Sequence, residues 1–125
     1  MKDKSEYTLT KSEMQVMNAL WSAGKALDVH EVVARYDDPR PAYTTVSTFL
    51  KILSTKGFVD YKKGNGKQYL YFPLVSRAQY TSRVMKEVKD SFFGGSVKSM
   101  LSYFVQEENL SEEDVKELLS LTLNS

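Results

Sequence analysis

The stretch YTTVSTFLKILSTKGFVDYKKGNGKQYLYF, residues 43–72, places a helix, a stop and a hairpin in immediate succession. Val46, Phe49, Leu50 and Leu53 recur at helical spacing and predict a helix from about Tyr43 to Lys56, closed by Gly57. The opposite side carries Thr44, Thr45, Ser47, Thr48 and Lys51. Threonine and serine are mediocre helix formers, so four of them on one exposed face need a reason beyond folding. Capping of the helix start accounts for Thr44 and at most Thr45, not for Thr48. Short hydroxyl side chains let a helix approach a partner closely and bond to phosphates or base edges. Beyond Gly57 come Phe58–Lys62 and Gln68–Phe72, two β-prone runs rich in aromatics. Between them, Lys63-Gly64-Asn65-Gly66-Lys67 predicts a tight turn in which Asn-Gly supplies positive φ angles.

Toward the N-terminus two more helices announce themselves. Thr10-Lys11-Ser12-Glu13 has capping-box spacing, Met14, Met17, Leu20 and Trp21 recur at helical intervals, and Gly24 supplies the stop. A second box, Asp28 to Glu31, opens a shorter helix with Val29, Val32 and Val33 turned inward. It ends near Tyr36, because Pro39 and Pro41 bar continuation. Three helices followed by a basic-tipped hairpin is the order of a winged helix-turn-helix. In that arrangement the third helix enters the major groove of DNA through Tyr43, Thr44, Thr45, Ser47, Thr48 and Lys51. The wing then sets Lys62, Lys63 and Lys67 beside the flanking backbone.

Charge follows the same division. The chain carries a net +1, but residues 1–75 hold 11 basic against 8 acidic side chains, and residues 76–125 hold 6 against 8. Between 40 and 67 the basic residues Arg40, Lys51, Lys56, Lys62, Lys63 and Lys67 face only Asp60. Such an excess suits a polyanion-binding surface, although charge runs are also the ordinary content of a solvated face.

Residues 76–125 read as all helix. Ser76 caps a helix through about Phe92 with Tyr80, Val84 and Val88 along one side, and Gly94-Gly95 breaks it. Val97, Met100, Leu101, Phe104 and Val105 trace a second apolar face. Ser111-Glu112-Glu113-Asp114 opens a last helix carrying Val115, Leu118, Leu119 and Leu123. Short helices with bare apolar faces do not bury themselves alone. A second copy of the chain covers them most economically, so Tyr80, Val84, Val88, Val97, Met100, Leu101, Phe104, Val105, Val115, Leu118 and Leu119 are the expected homodimer interface. Packing on the N-terminal unit is the competing arrangement. The fold class expected is mainly α with a small β-hairpin: a winged-helix domain over 1–75 and a three-helix dimerisation domain over 76–125.

Other chemistries find little to stand on. The 125 residues, 42% hydrophobic and 26% charged, suit an ordinary globular chain, with no apolar run near the roughly 20 residues that span a bilayer. No apolar core follows the opening Met1–Glu6, so a cytoplasmic protein is expected. The absence of cysteine removes disulfides, thiolate metal sites and a cysteine nucleophile. His30, the single histidine, stands beside Glu31 without metal-ligand spacing, and Glu107-Glu108 and Glu112-Glu113-Asp114 fit a turn and a helix start. No catalysis, cofactor or metal is expected. A winged helix used for protein contact would leave the hydroxyl face and the basic wing without a task.

The ordered set of motifs resembles a known family. Leu9–Trp21, Thr44–Thr48, Leu53–Val59, Tyr69–Val75, Phe104-Val105 and Leu110-Ser111 are similar to the penicillinase and methicillin-resistance repressors, the BlaI/MecI family, which also includes CopY-type copper repressors. The similarity runs from about Tyr7 to Leu121. It implies a DNA-binding repressor that occupies a promoter palindrome as a homodimer. It also implies that the residues matching Thr44, Thr45, Ser47 and Thr48 face DNA. Ser47 stands where the best-known members carry a basic residue, so an operator sequence does not carry over. Many members are released by a membrane-bound sensor metalloprotease that cuts an Asn-Phe bond. The matching pair here is Tyr103-Phe104. The cysteine hook of the copper repressors has no counterpart.

Overall fold

Thr10 begins the first helix by accepting a hydrogen bond from the Glu13 N–H at 3.2 Å, while the Glu13 carboxylate accepts from the Thr10 N–H at 2.9 Å. The helix this box opens, α1 (Lys11–Ala23), ends on Gly24 at φ 66°, where a side chain would be strained. The computed structural model describes residues 8–123; residues 1–6, which bear on export, and the side chain of Leu123 lie outside the described residues. Asp28 and Glu31 form the second reciprocal box, at 2.8 and 3.0 Å, and open α2 (Val29–Ala34). This helix stops two residues short of the expected Tyr36, because the Arg35 and Tyr36 N–H groups turn back to Val32 and Val33 carbonyls at 3.1 Å.

The third helix, α3 (Tyr43–Thr55), buries Val46, Leu50 and Leu53 completely and leaves Phe49 half-buried. These side chains meet Val16, Met17 and Leu20 of α1, Leu27, Val32 of α2 and Phe58 in a single core. Gly57, at φ 84°, then turns the chain, and the Phe58 N–H bonds to the Leu53 carbonyl at 2.9 Å. The Phe58 carbonyl accepts from the Leu74 N–H at 2.8 Å, and β1 (Val59–Lys63) and β2 (Tyr69–Pro73) each begin one residue later than the sequence predicts. The two strands are antiparallel from Val59↔Pro73 to Lys63↔Tyr69. Leu27 adds a short third edge through two bonds to Tyr71, at 2.9 and 2.7 Å.

The hairpin tip departs from expectation. Residues 64–68 form a loop closed by the Gly64 N–H on the Gln68 carbonyl at 3.0 Å, and neither Asn65 nor the flanking glycines take positive φ. A Cβ on Gly66 would fall 2.6 Å from the far end of the Gln68 side chain, which is exposed and can swing aside.

The remaining helices are α4 (Arg77–Phe93), α5 (Val97–Glu107) and α6 (Glu112–Leu123). Ser76, Ser96 and Ser111 cap their starts. The chain forms two compact units that divide after Arg83, within α4, rather than at 75/76. The cause is local: Tyr80 is only 7% exposed, accepts a bond from the Leu9 N–H at 2.8 Å on its hydroxyl, and meets the Phe58 ring edge-on. The Trp21 N–H adds a bond to the Val75 carbonyl at 2.9 Å, and the Arg77 guanidinium lies over the Trp21 ring. Tyr80, expected at a dimer interface, is therefore core of the first unit and leaves almost no surface for a partner. In the second unit α5 buries no residue, and Phe92, Val97, Leu101, Leu118 and Leu119 are exposed.

Glu13 is 2% exposed and its carboxylate also receives the Lys56 ammonium at 2.8 Å, joining the start of α1 to the end of α3. Burial pushes this carboxyl up, but the bonds from Lys56 and Thr10 outweigh it, and the net direction is down. A depressed folded-state value stabilises the fold above the unfolded glutamate range, about pH 4.3, and that contribution is lost as pH falls through the folded value. Glu13→Gln keeps the reach back to Thr10 but not the charge. It should cost about 1–2 kcal/mol at neutral pH and remove one component of the acid limb, measured by urea unfolding from pH 3 to 7.

Candidate nucleic-acid interface

With its inner stripe fixed in the core, α3 turns Thr44, Thr45, Thr48, Lys51, Ile52 and Thr55 outward, all exposed. Ser47 differs from its neighbours. It is half-buried and lines a cleft of about 310 Å³ between α3 and the hairpin, together with His30, Tyr43, Lys51, Lys67 and Gln68. Thus the structure brings helix and wing residues to one concave surface. His30 is exposed, and its ring lies 4.5 Å from that of Tyr43. Tyr61 packs between Tyr69 and Tyr71, at 4.7 and 5.6 Å. Burial pushes the Tyr71 hydroxyl above the ordinary tyrosine value, and Tyr61, Tyr43 and Tyr69 add to it, so Tyr71 stays a neutral donor.

The hydroxyls do not all point at a partner. Thr48 donates its proton to the Thr44 carbonyl at 2.9 Å, and Thr55 donates to that of Lys51 at 3.1 Å. A threonine so bonded keeps only its lone pairs and its methyl for anything outside the helix. Unlike α1 and α2, α3 has no side-chain cap: Ala42 occupies its N-cap position. The first N–H groups of α3 therefore keep their partial positive charge at the edge of the hydroxyl face.

Lys62, Lys63 and Lys67 are exposed on the hairpin, and none is within ion-pair distance of an acidic group among the described residues. Lys56 is the exception in this basic stretch, because its charge is spent on Glu13. Asp60, the one acidic residue of the stretch, turns its carboxylate onto the Tyr61 N–H at 2.8 Å. Ile52 escaped the sequence reading, which assigned it neither to the apolar stripe nor to the hydroxyl face. Its spacing four residues after Thr48 was the available signal.

The profile of the penicillinase repressor family matches residues 9–123. The methicillin resistance regulatory protein MecI of Staphylococcus aureus (strain N315) is 29% identical over 121 residues, 95% of this chain and 96% of that protein. MecI of Mammaliicoccus sciuri is 29% identical over the same shares of the two chains. The penicillinase repressor of Bacillus licheniformis is 24% identical over 114 residues, covering 90% of this chain and 88% of its own.

The bare N-cap gives a direct test of local energetics. Ala42→Asp supplies the missing acceptor to the first turn of α3 and should raise unfolding free energy by about 1 kcal/mol, read as a shift in the urea midpoint.

Proposed function

The chain belongs to the penicillinase repressor family, and from that premise we propose that it represses transcription by holding a palindromic DNA operator as a homodimer. The observation that carries this reading is the exposed hydroxyl face of α3 beside a hairpin whose three lysines make no ion pair among the described residues. In the proposed complex Thr44, Thr45 and Thr48 meet base edges in the major groove, and Ser47 and Lys51 face the cleft beside the wing. The uncapped N–H groups of α3 donate to a phosphate, as those of helix N-termini do. Lys62, Lys63 and Lys67 neutralise the flanking backbone.

Dimerisation is assigned to the second unit. Val84, Val88, Met100, Val105 and Val115 are only half-buried there, and Val97, Leu101, Phe104, Leu118 and Leu119 are exposed. Apolar side chains in that number seek cover, and a twofold pairing sets two heads on half-sites about 10 base pairs, or a multiple, apart. Among the described residues no helix is long and apolar enough to cross a membrane.

Release by a membrane-bound sensor metalloprotease at Tyr103-Phe104 follows from the resemblance alone. Both residues lie inside α5, so a protease must first unwind that helix to reach the bond.

Binding of the full chain to random-sequence and genomic DNA across a salt series tests the reading. Affinity that falls steeply with salt is expected, whereas indifference to salt would favour a protein-contact role for the winged helix. Lys63→Ala should weaken all sequences alike and lower the salt slope by about 1. Ala42→Asp, stabilising for the fold, should at the same time weaken DNA binding. Sedimentation should give a dimer at micromolar concentration, and Leu118→Glu should shift it toward monomer.

A further inference from the structure

Resting on the DNA-binding reading, we infer that the exposed row Thr45, Thr48 and Ile52 of α3 reads thymine C5-methyl groups, which makes Ile52 a specificity-determining residue. The three positions follow one another at i, i+3 and i+7, so they share one strip of the helix surface. Ile52 is 38% exposed, although the helix already has a complete buried stripe in Val46, Leu50 and Leu53. A single exposed isoleucine is ordinary. An isoleucine aligned with threonine methyls, on the face turned away from the core, is a surface of defined chemistry.

The hydrogen bonding of Thr48 sharpens that chemistry. Its proton goes to the Thr44 carbonyl at 2.9 Å, and while that bond holds it is not offered to guanine O6 or N7. Ile52 has no polar atom to offer. Apart from the Thr45 hydroxyl, what remains outward along this strip is largely methyl surface, and the thymine C5-methyl is the apolar group that a base edge presents in the major groove. From Thr45 to Ile52 the helix advances about 10 Å, or about three base-pair steps at 3.4 Å each. The half-site should therefore hold its contacted thymines within a window of that length. Lys51 lies outside the row and lines the cleft toward the wing.

The test uses the full-length protein and a duplex selected from random sequence. Each thymine of the half-site is replaced singly by deoxyuridine, which removes the methyl and leaves the pairing edge intact, and binding is titrated by fluorescence anisotropy. At the contacted positions uracil should weaken wild-type binding about three- to fivefold, the value of one buried methyl. Ile52→Ala should abolish the uracil effect at one position, and Thr48→Ser, which keeps the hydroxyl, at a neighbouring one. The inference is overturned if every uracil duplex binds like its thymine parent. It is equally overturned if the selected half-site holds no thymine in the window, or if the losses persist undiminished in both variants. Failure to select any duplex above random DNA is a different outcome, which overturns the DNA-binding reading and this inference with it.

Discussion

Val46, Leu50 and Leu53 set the rotation of α3 about its own axis, because all three are fully buried and a helix turns as one body. Once they are seated among Val16, Met17, Leu20 and Phe58, the outward direction of Thr44, Thr48 and Lys51 follows from 3.6 residues per turn. The far end of α3 is held as firmly. Lys56 is bonded to Glu13, Gly57 takes a left-handed backbone, and the Phe58 N–H returns to Leu53. The hairpin departs from that fixed point and is pinned on its other edge by the Leu27–Tyr71 bonds. Helix face and wing are therefore parts of one packed piece, and their relative placement is a property of the core.

Charge is allotted within this frame by what each cation touches. Lys56 belongs to the same basic stretch as the wing lysines, yet it neutralises a buried carboxylate and contributes little to an outside field. A carboxylate as enclosed as that of Glu13 would be costly without its bonds from Thr10 and Lys56, so the pair has a structural role first. The lysines of the hairpin carry no such obligation. Their attraction for a polyanion is long-ranged and screened by salt, and it is not divided among internal partners.

What the sequence disclosed was mostly what lies within four residues of its cause. The boxes at Thr10 and Asp28, the stop at Gly24 and the buried stripe of α3 all depend on i to i+3 or i+4 relations, and each was legible. The hairpin was legible as a hairpin, but the backbone of its tip follows the Gly64–Gln68 bond, which no dipeptide preference encodes. The partners of Lys56 and Tyr80 lie 43 and 71 residues away in the chain. Periodicity gave Tyr80 the correct helix and the wrong neighbour, because an apolar position does not say which core it enters. Ser47 shows the same limit on a smaller scale: helical spacing sets it on the side opposite the buried stripe and says nothing of the cleft it lines.

The position of Tyr80 has a further consequence. The hydroxyl that receives the Leu9 N–H, and the ring that meets Phe58, lie before the division after Arg83. Those two contacts of Tyr80 are made wholly within the first unit and do not draw on the chain beyond Arg83. Under the proposed function, severing the second unit would thus not melt the head but would free it from its twin. A lone head finds its second half-site only at its bulk concentration, whereas a tethered one meets it at an effective concentration in the millimolar range for short connections. Repression would then end through loss of avidity, with the reading surface itself still folded.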